Sequence, residues 1–396
     1  MVKFLFEKGA DIHVLDDYTF VSAAMNGHLD IVKFLLEKGA NIHTREENAL
    51  ICAAMNGHLE VVKFMVDKGA DIHAREENAF GWASSKGHLD VVKFLVEKGA
   101  DIHAEDDFAL RWASEYGHLE VVEFLVENGA DIHANDDKAL ACASFNGHLD
   151  IVEFFIEKGA DIHADNDNAL LGASIGGRIE IVKFLIEKGA DIHSFDDYIF
   201  VYTATSGHLE VVEFLFEKGA NIHACNDSAL RGASINGHLE VVKFLIENGA
   251  NIHAGEDKAF CSASHNGHIE VVKFLVEKGA DIHANNDSAI RGASHNGHLE
   301  VVKFFIEKGA DTSLLTINMM IKLGISIDWV RKPDNLPPFR ELIECPISNV
   351  IFNKDTLKLG CSQCLNVFDK NSLEEWLKLG NELCPMCMTG RVFFLV

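Results

Sequence analysis

The sequence predicts an all-α solenoid of helix-turn-helix repeats, followed by a small α+β domain. Three observations support this fold class. A Gly-His step recurs every 30 residues, the first 332 residues contain no proline, and five of the nine cysteines lie in the last 52 residues. An average chain of this length would carry about 20 prolines. The first 332 residues therefore form one regular object, and the remainder is a different one.

The Gly-His step defines ten repeats, from Gly27-His28 to Gly297-His298, with Gly177-Arg178 in place of one of them. Met1 aligns with Ile31, so the chain begins with a half repeat. An internal period of 20–50 residues is typical of solenoids. We expect the repeat array over residues 1–312 and a helical cap over 313–332.

Each repeat contains two helical segments. The second is clearest at Gly297-His-Leu-Glu-Val-Val-Lys-Phe-Phe-Ile-Glu-Lys-Gly309. Leu299, Val302, Phe305 and Ile306 form one apolar stripe at helical spacing, and Gly309 is suited to ending the helix. The first segment is shorter, for example residues 289–296. Alanines four residues apart in it allow close helix approach, and a polar link joins each repeat to the next.

These residues resemble the ankyrin repeat, and the resemblance covers residues 1 to about 312. The repeats are about three residues shorter than the usual 33, and Ser288-Ala-Ile-Arg291 stands where Thr-Pro-Leu-His is usual. That replacement explains the missing prolines. Thirty-residue repeats of this kind resemble the ankyrin proteins of giant amoebal viruses. The resemblance implies a protein that binds a target protein, in a host cell if the chain is viral.

Positions that vary between repeats are the ones free to carry binding specificity. In an ankyrin-like stack they line the concave surface. The link carries an acidic pair in nearly every repeat, such as Asp16-Asp17 and Asp136-Asp137, with seventeen acidic residues and three Asn in twenty positions. One interpretation is an acidic surface for a basic partner. The other is that the second residue of each pair caps the short helix.

Two groups of aromatic residues occupy these variable positions. Trp82 and Trp112 share one position in adjacent repeats, and Tyr116 and Phe145 follow. The second group lies in the most irregular stretch, residues 172–205, and contains Phe195, Tyr198 and Tyr202. Exposed aromatics are typical of binding hot spots. Packing between neighbouring short helices is the alternative for the first group, and a duplication without a binding role is the alternative for the second. We predict all seven as target-binding residues.

The histidines follow the repeat. Of 21, ten lie in an Ala-(Asp/Asn)-Ile-His step and nine in the Gly-His step. Side chains repeated so regularly are expected to form hydrogen bonds between stacked repeats rather than to bind metal or act in catalysis. No catalytic triad, phosphate-binding loop or paired-carboxylate site is recognisable in the sequence.

The composition changes after Lys332. Pro333-Asp-Asn-Leu-Pro-Pro338 indicates a linker over 333–340, and a separate module over 341–396 follows. Cys361-Ser-Gln-Cys364 and Cys384-Pro-Met-Cys387 have the spacing of a zinc site with four thiolate ligands. Such a closed site is structural. We therefore predict one zinc ion bound by Cys361, Cys364, Cys384 and Cys387.

The module resembles the RING and U-box family over about residues 341–390. The resemblance rests on Cys345-Pro-Ile-Ser348, Phe368-Asp-x3-Leu-x2-Trp-Leu377 and Cys384-Pro-x-Cys387. It implies recruitment of a ubiquitin-conjugating enzyme through Ile347, Trp376 and Pro385. Only Cys345 matches a good ligand of the family's first zinc site, and Met388 stands where a basic residue is usual.

Composition restricts the partners and the location. The net charge is −26, of which the last 64 residues account for only −2. Such a charge disfavours nucleic acid and anionic membranes as partners. No apolar run is long enough for a membrane span, and the N-terminus lacks a signal peptide, so we expect an intracellular protein. The leading hypothesis is an adaptor-type ubiquitin ligase, and the alternative is a non-enzymatic scaffold whose zinc module is a docking domain or end cap.

Overall fold

The computed structural model describes residues 2–9, 11, 13–323, 358–361, 367–369 and 392–395. The chain divides into two compact units, Met1–Ala224 and Cys225–Val396. The predicted linker 333–340 lies outside the described residues. So do Ile347, Trp376, Pro385 and three of the four predicted zinc ligands, Cys364, Cys384 and Cys387.

The first compact unit is built of short helices in pairs. In each pair an even-numbered first helix precedes an odd-numbered second helix, and α1 stands alone before them. The helices are α1 (Val2–Glu7), α2 (Val14–Met25), α3 (Leu29–Glu37), α4 (Asn48–Met55), α5 (Leu59–Asp67), α6 (Ala74–Ser85), α7 (Leu89–Glu97), α8 (Ala104–Glu115), α9 (Leu119–Glu127), α10 (Ala134–Asn146), α11 (Leu149–Glu157), α12 (Ala164–Ile175), α13 (Ile179–Glu187), α14 (Tyr198–Ser206) and α15 (Leu209–Glu217).

The second compact unit continues the same alternation and adds a small sheet. Its helices are α16 (Ala224–Ile235), α17 (Leu239–Glu247), α18 (Ala254–Asn266), α19 (Ile269–Glu277), α20 (Ala284–His295), α21 (Leu299–Glu307), a 3₁₀ turn (Thr312–Leu314) and α22 (Ile317–Leu323). Its strands are β1 (Lys358–Cys361), β2 (Val367–Asp369) and β3 (Val392–Leu395). They form an antiparallel sheet in the order β2-β1-β3, with Gly360 opposite Val367 and Cys361 opposite Val392.

The second helices bury one apolar face, as predicted, but the face is centred differently. In α21 the buried residues are Val301, Val302 and Phe305. Leu299 and Ile306, which the sequence placed in the stripe, are only half-buried. Gly309 ends the helix with a φ of 90°, the left-handed conformation that glycine adopts without strain.

The first helices pack through small residues. Ala289 and Ala293, four residues apart in α20, are both 0% exposed. Equivalent alanines are buried in the other repeats, including Ala49 and Ala53 of α4. Because alanine adds little bulk to the helix surface, neighbouring first helices can approach closely. This agrees with the small-residue pattern in the sequence.

Three left-handed residues stand at the start of nine of the first helices, either just inside the helix bounds or directly before them. In α6, Arg75, Glu76 and Glu77 have φ values of 52°, 56° and 63°, and the equivalent three residues in eight further repeats have positive φ too. Non-glycine residues pay about 1–2 kcal/mol each in this region, and Asn and Asp tolerate it best. The repeated Asn and Asp at these positions fit this turn, which sets the path of the chain into the first helix.

The Gly-His step joins each repeat to the one before it. The His88 ring donates an Nε2–H hydrogen bond to the carbonyl oxygen of Met55, 3.0 Å away and 33 residues earlier. The ring lies against Gly57, where a Cβ atom would be only 2.6 Å from His88 Nδ1. Gly57 is therefore required by the close approach as well as by its φ of 72°. The predicted hydrogen bonds between stacked repeats are confirmed for this step.

Candidate binding surface on the first helices

In seven links the second acidic residue holds two repeats together. Asp137 is buried, and its carboxylate accepts a 2.9 Å hydrogen bond from the backbone N–H of Asp161 in the next repeat. The other carboxylate oxygen lies 3.2 Å from Nδ1 of His133, four residues earlier. This single side chain therefore fixes both its own turn and the start of the following one.

The same arrangement recurs along the chain, and we call it the carboxylate ladder. Its members share a position 24 residues before the backbone N–H that they bind. The bound amides belong to Asn41, Asp101, Asp131, Asp161, Asp191, Asn251 and Asp281. The accepting residues are Asp17, Glu77, Asp107, Asp137, Asp167, Asp227 and Asp257.

The interpretation of the second acidic residues as helix caps is wrong for the two that directly precede a helix. Glu47 and Asp197 directly precede α4 and α14, and neither makes a side-chain capping hydrogen bond. The carboxylate is instead held by histidine: Glu77 raises the pKa of His73 chiefly through a side-chain hydrogen bond. The sequence carried a signal for this difference. All three Asn of the acidic pairs occupy the first position, and the second position is always acidic.

The first residue of each pair faces outward. Glu46, Glu76, Asp106 and Asp136 are all exposed. Arg75 neutralises one of them through a 3.0 Å ion pair with Glu46. Further along, hydrogen bonding to Glu76 raises the pKa of the exposed Glu105 carboxyl, and its negative charge adds to the effect. The links therefore present a row of closely spaced carboxyl groups. About one residue of each acidic pair contributes to it, rather than the two that the sequence suggests.

The two tryptophans of the first helices stack on each other. The ring centroids of Trp82 and Trp112 are 5.2 Å apart with a 53° tilt. Phe108 packs edge-on against Trp112, also at 5.2 Å. Gly81 makes this possible, because a Cβ there would lie 2.0 Å from the Phe108 ring. Both tryptophans are half-buried, so they combine the packing role and the surface role that the sequence left open.

Two of the predicted aromatics next to this stack are exposed. Tyr116 at the end of α8 is 52% exposed, and Phe145 near the end of α10 is 46% exposed. The Nζ atom of Lys86 lies 5.5 Å from the centre of the Tyr116 ring. The chain thus already places one cation over this ring face.

Helix α12 approaches α10 closely beside Phe145. A Cβ on Gly176 would lie 2.3 Å from the Phe145 carbonyl oxygen, and one on Gly172 would lie 3.2 Å from the Ala141 carbonyl oxygen. Arg178, which replaces the repeated histidine, donates its Nε–H to the same Phe145 carbonyl at 3.0 Å. The residues within 172–178 that differ from the repeat pattern therefore preserve the contact between neighbouring repeats.

The second aromatic group lies on α14. Tyr198 and Tyr202 are one helical turn apart with ring centroids 5.6 Å apart, and they are 37% and 44% exposed. Phe195 precedes them in the left-handed turn, with a φ of 56°, and is half-buried. Ile199 and Thr203, which replace two repeated alanines, are fully buried. They fill the core beneath the tyrosines.

Family models of ankyrin repeats match almost the whole array. A model of three repeats matches residues 1–76, 73–136, 110–196 and 233–316. A model of many repeats matches residues 199–246. The chain belongs to the ankyrin-repeat family. Among curated proteins no match is found.

Ankyrin repeats act as scaffolds for protein–protein interaction, with the variable residues on an extended binding surface. On this chain we define the aromatic surface as Trp82, Trp112, Tyr116, Phe145, Tyr198 and Tyr202. Five of them lie on first helices of the first compact unit, and Tyr116 directly follows α8 in the same unit. The ankyrin architecture thus keeps these side chains on one helix layer, while the carboxylate ladder holds the repeats that carry them.

Within the part of the chain that the structure describes, no three His, Cys, Asp or Glu side chains converge as a metal site requires. Of the predicted zinc ligands, the described part of the chain contains Cys361, the last residue of β1. Among the described helices, none is long and apolar enough to cross a membrane.

Proposed function

We propose that the ankyrin array binds a target protein through the aromatic surface, and that the C-terminal segment recruits a ubiquitin-conjugating enzyme. The observation that carries the first part is the exposure of Tyr116, Phe145, Tyr198 and Tyr202 on one helix layer. Large aromatics left exposed beside rigid elements are the usual anchors of protein interfaces. Trp82 and Trp112 form the packed base of this surface, and Phe195 extends it toward the link.

A site-specific photo-crosslinker tests target binding. We would place it at Tyr202 or Tyr116 of the full chain and incubate the protein with an extract of cells that express it. Crosslinks to one protein from both positions are expected. Tyr18 is the matched control, because it occupies the same repeat position as Tyr198 and is 50% exposed. Equal crosslinking from Tyr18, or none from Tyr202 and Tyr116, would contradict a site at the aromatic surface.

For the C-terminal segment we propose one structural zinc ion bound by Cys361, Cys364, Cys384 and Cys387. The support is the sequence spacing of two Cys-x2-Cys pairs, and thiolates at this spacing favour tetrahedral zinc. Metal analysis of the purified chain is expected to give one zinc per molecule. The Cys364→Ser and Cys387→Ser double variant should lose it, whereas Cys142→Ser, outside the pairs, should keep it. Equal zinc content in both variants would contradict the assignment.

Recruitment of a conjugating enzyme is supported by the resemblance to RING and U-box modules, with Ile347, Trp376 and Pro385 at the contact positions. A ligase of this kind supplies proximity and orientation rather than a nucleophile. Autoubiquitination with a panel of conjugating enzymes is expected to give product that Ile347→Ala and Trp376→Ala abolish. No product across the panel, with zinc bound, would favour the alternative: an intracellular scaffold whose zinc module only docks or caps the array. Origin in a giant amoebal virus stays a prediction.

A further inference from the structure

We infer that the segment of the target that docks on the aromatic surface is basic, with apolar side chains between its lysines and arginines. This inference rests on the proposed target binding and specifies the chemistry of the partner. Its starting point is the charge around the exposed aromatics. On the links and first helices over residues 105–206, acidic residues predominate among the exposed charges: Glu105, Asp106, Asp131, Asp136, Asp161, Asp165, Asp191 and Asp196, against Lys138 in α10 and Arg178 between α12 and α13.

The chain itself shows how a cation binds here. Lys86 Nζ lies 5.5 Å from the centre of the exposed Tyr116 ring, a distance at which an ammonium group is attracted to the ring face. Tyr198 and Tyr202 present a second pair of aromatic rings three repeats further on. A basic segment lying across the first helices would meet both groups.

The carboxylates are fixed in place for such a partner. Asp136 belongs to a left-handed turn, and the next residue, Asp137, is bound to the following repeat. The exposed carboxylate therefore cannot move far from its position beside the first helix. Carboxyl groups also lie close together on the links: a side-chain hydrogen bond to Glu76 raises the pKa of Glu105, and the negative charge of Glu76 adds to the effect. A bound lysine or arginine would relieve this repulsion, whereas an acidic partner would add to it.

The apolar side chains of the target segment are inferred from exposed aromatic area that a cation alone would not cover. Phe145 is 46% exposed between Tyr116 and the α14 tyrosines along the sequence of helices. Its ring offers apolar area that water covers in the free protein, and burying it against a leucine-sized side chain is favourable. An exclusively charged segment would leave this area wet. A mixed basic and apolar segment uses both components of the surface.

The test uses two fluorescein-labelled peptides and the full chain. One contains lysine, arginine and leucine, and the other has every lysine and arginine replaced by glutamine. Fluorescence anisotropy is expected to show binding of the first only, weakening as salt is raised. The Tyr116→Ala and Tyr202→Ala double variant should weaken binding about tenfold, the sum of two cation–π contacts. Tyr18→Ala, at an equally exposed tyrosine, should leave it unchanged.

The contribution of charge to peptide binding is tested with a matched pair of double variants. Asp106→Asn with Asp136→Asn should weaken binding of the basic peptide. Glu127→Gln with Glu157→Gln, which removes two exposed charges from second helices of the same repeats, should not. Equal weakening by both pairs would mean non-specific attraction to an acidic protein and would overturn the inference. So would equal binding of the glutamine peptide.

A failure of the basic-partner inference can be distinguished from a failure of the proposed target binding. If the photo-crosslinked target contacts Tyr202 through a segment without lysine or arginine, and the basic peptide does not bind, the basic partner is wrong and target binding stands. If the target crosslinks equally from Tyr18, the binding site itself is wrong. Peptide binding that responds to the tyrosine variants and to the Asp106 and Asp136 variants, but not to the controls, supports the inference.

Discussion

The carboxylate ladder and the aromatic surface lie on the same helical repeats but use opposite kinds of position. The ladder is built from residues that hardly vary, such as Asp137 and His133: Asp137 accepts a backbone N–H of the next repeat, and His133 binds the Asp137 carboxylate. The aromatic surface is built from residues that change between repeats, such as Tyr116 and Tyr202, and these remain exposed. Residues that are identical between repeats therefore hold the array together, and residues that vary are free to bind a partner.

The largest expected effect breaks the ladder. Asp137→Ala leaves the part-buried N–H of Asp161 without its partner and also removes the carboxylate that binds the exposed ring of His133. An unsatisfied buried donor costs about 1–3 kcal/mol and the lost bond to the histidine adds to this, so we expect a loss of up to about 3 kcal/mol in the free energy of unfolding. Denaturation in urea would measure it. Asp136→Ala removes the same charge one residue earlier and should change stability by less than about 0.5 kcal/mol. Equal losses would show that charge, not bonding, stabilises the link.

The second-largest expected effect is at Trp112, a variable position whose side chain also packs against its neighbours. Trp112 contacts Trp82 and Phe108, at 5.2 Å in each case. Full truncation of a buried tryptophan costs about 3–5 kcal/mol, and the half-buried Trp112 should cost about 2 kcal/mol as Trp112→Ala. Trp112→Phe should recover most of this loss. An unchanged unfolding transition in Trp112→Ala would assign this tryptophan to binding alone.

A smaller effect concerns the one repeat that lacks the Gly-His histidine. Arg178→Ala removes the donor to the Phe145 carbonyl and should cost about 1 kcal/mol, the net value of a typical hydrogen bond. Arg178→His should restore the bond made in the other repeats and remain close to the parent in stability. If the histidine variant is as damaged as the alanine variant, the arginine has a role that the histidine cannot supply.

The smallest effect is a pH dependence of opposite sign at two histidines. Burial lowers the pKa of His118 below 6.5, so its contribution to stability is present above pH 6.5 and is lost as pH falls through the lowered value. The hydrogen bond to Glu77 raises the pKa of His73 above 6.5, so its contribution is present below pH 6.5 and is lost as pH rises through the raised value. The stability cost of His118→Asn should therefore shrink in acid, and that of His73→Asn should shrink in base. Urea denaturation across the pH range would check both, and parallel trends would contradict these assignments.

The sequence predicted the ankyrin array because its period, glycines and apolar stripe are local properties. It could not show that Asp137 reaches the next repeat, since the bond joins residues 24 apart through a left-handed turn that no residue pattern specifies uniquely. It also could not separate the two roles of the aromatics. Trp112 is half-buried because Gly81 leaves room for Phe108, which in turn packs on the tryptophan ring. That arrangement depends on two neighbouring helices at once.

The most direct test compares Asp137→Ala with Tyr202→Ala in two assays on the same samples, urea denaturation and anisotropy with the basic peptide. We expect Asp137→Ala to lower the free energy of unfolding and to keep peptide binding under conditions where it is folded. Tyr202→Ala should weaken peptide binding and leave the unfolding transition unchanged. The account would be contradicted if Tyr202→Ala destabilised the chain as much as Asp137→Ala, or if only Asp137→Ala reduced binding.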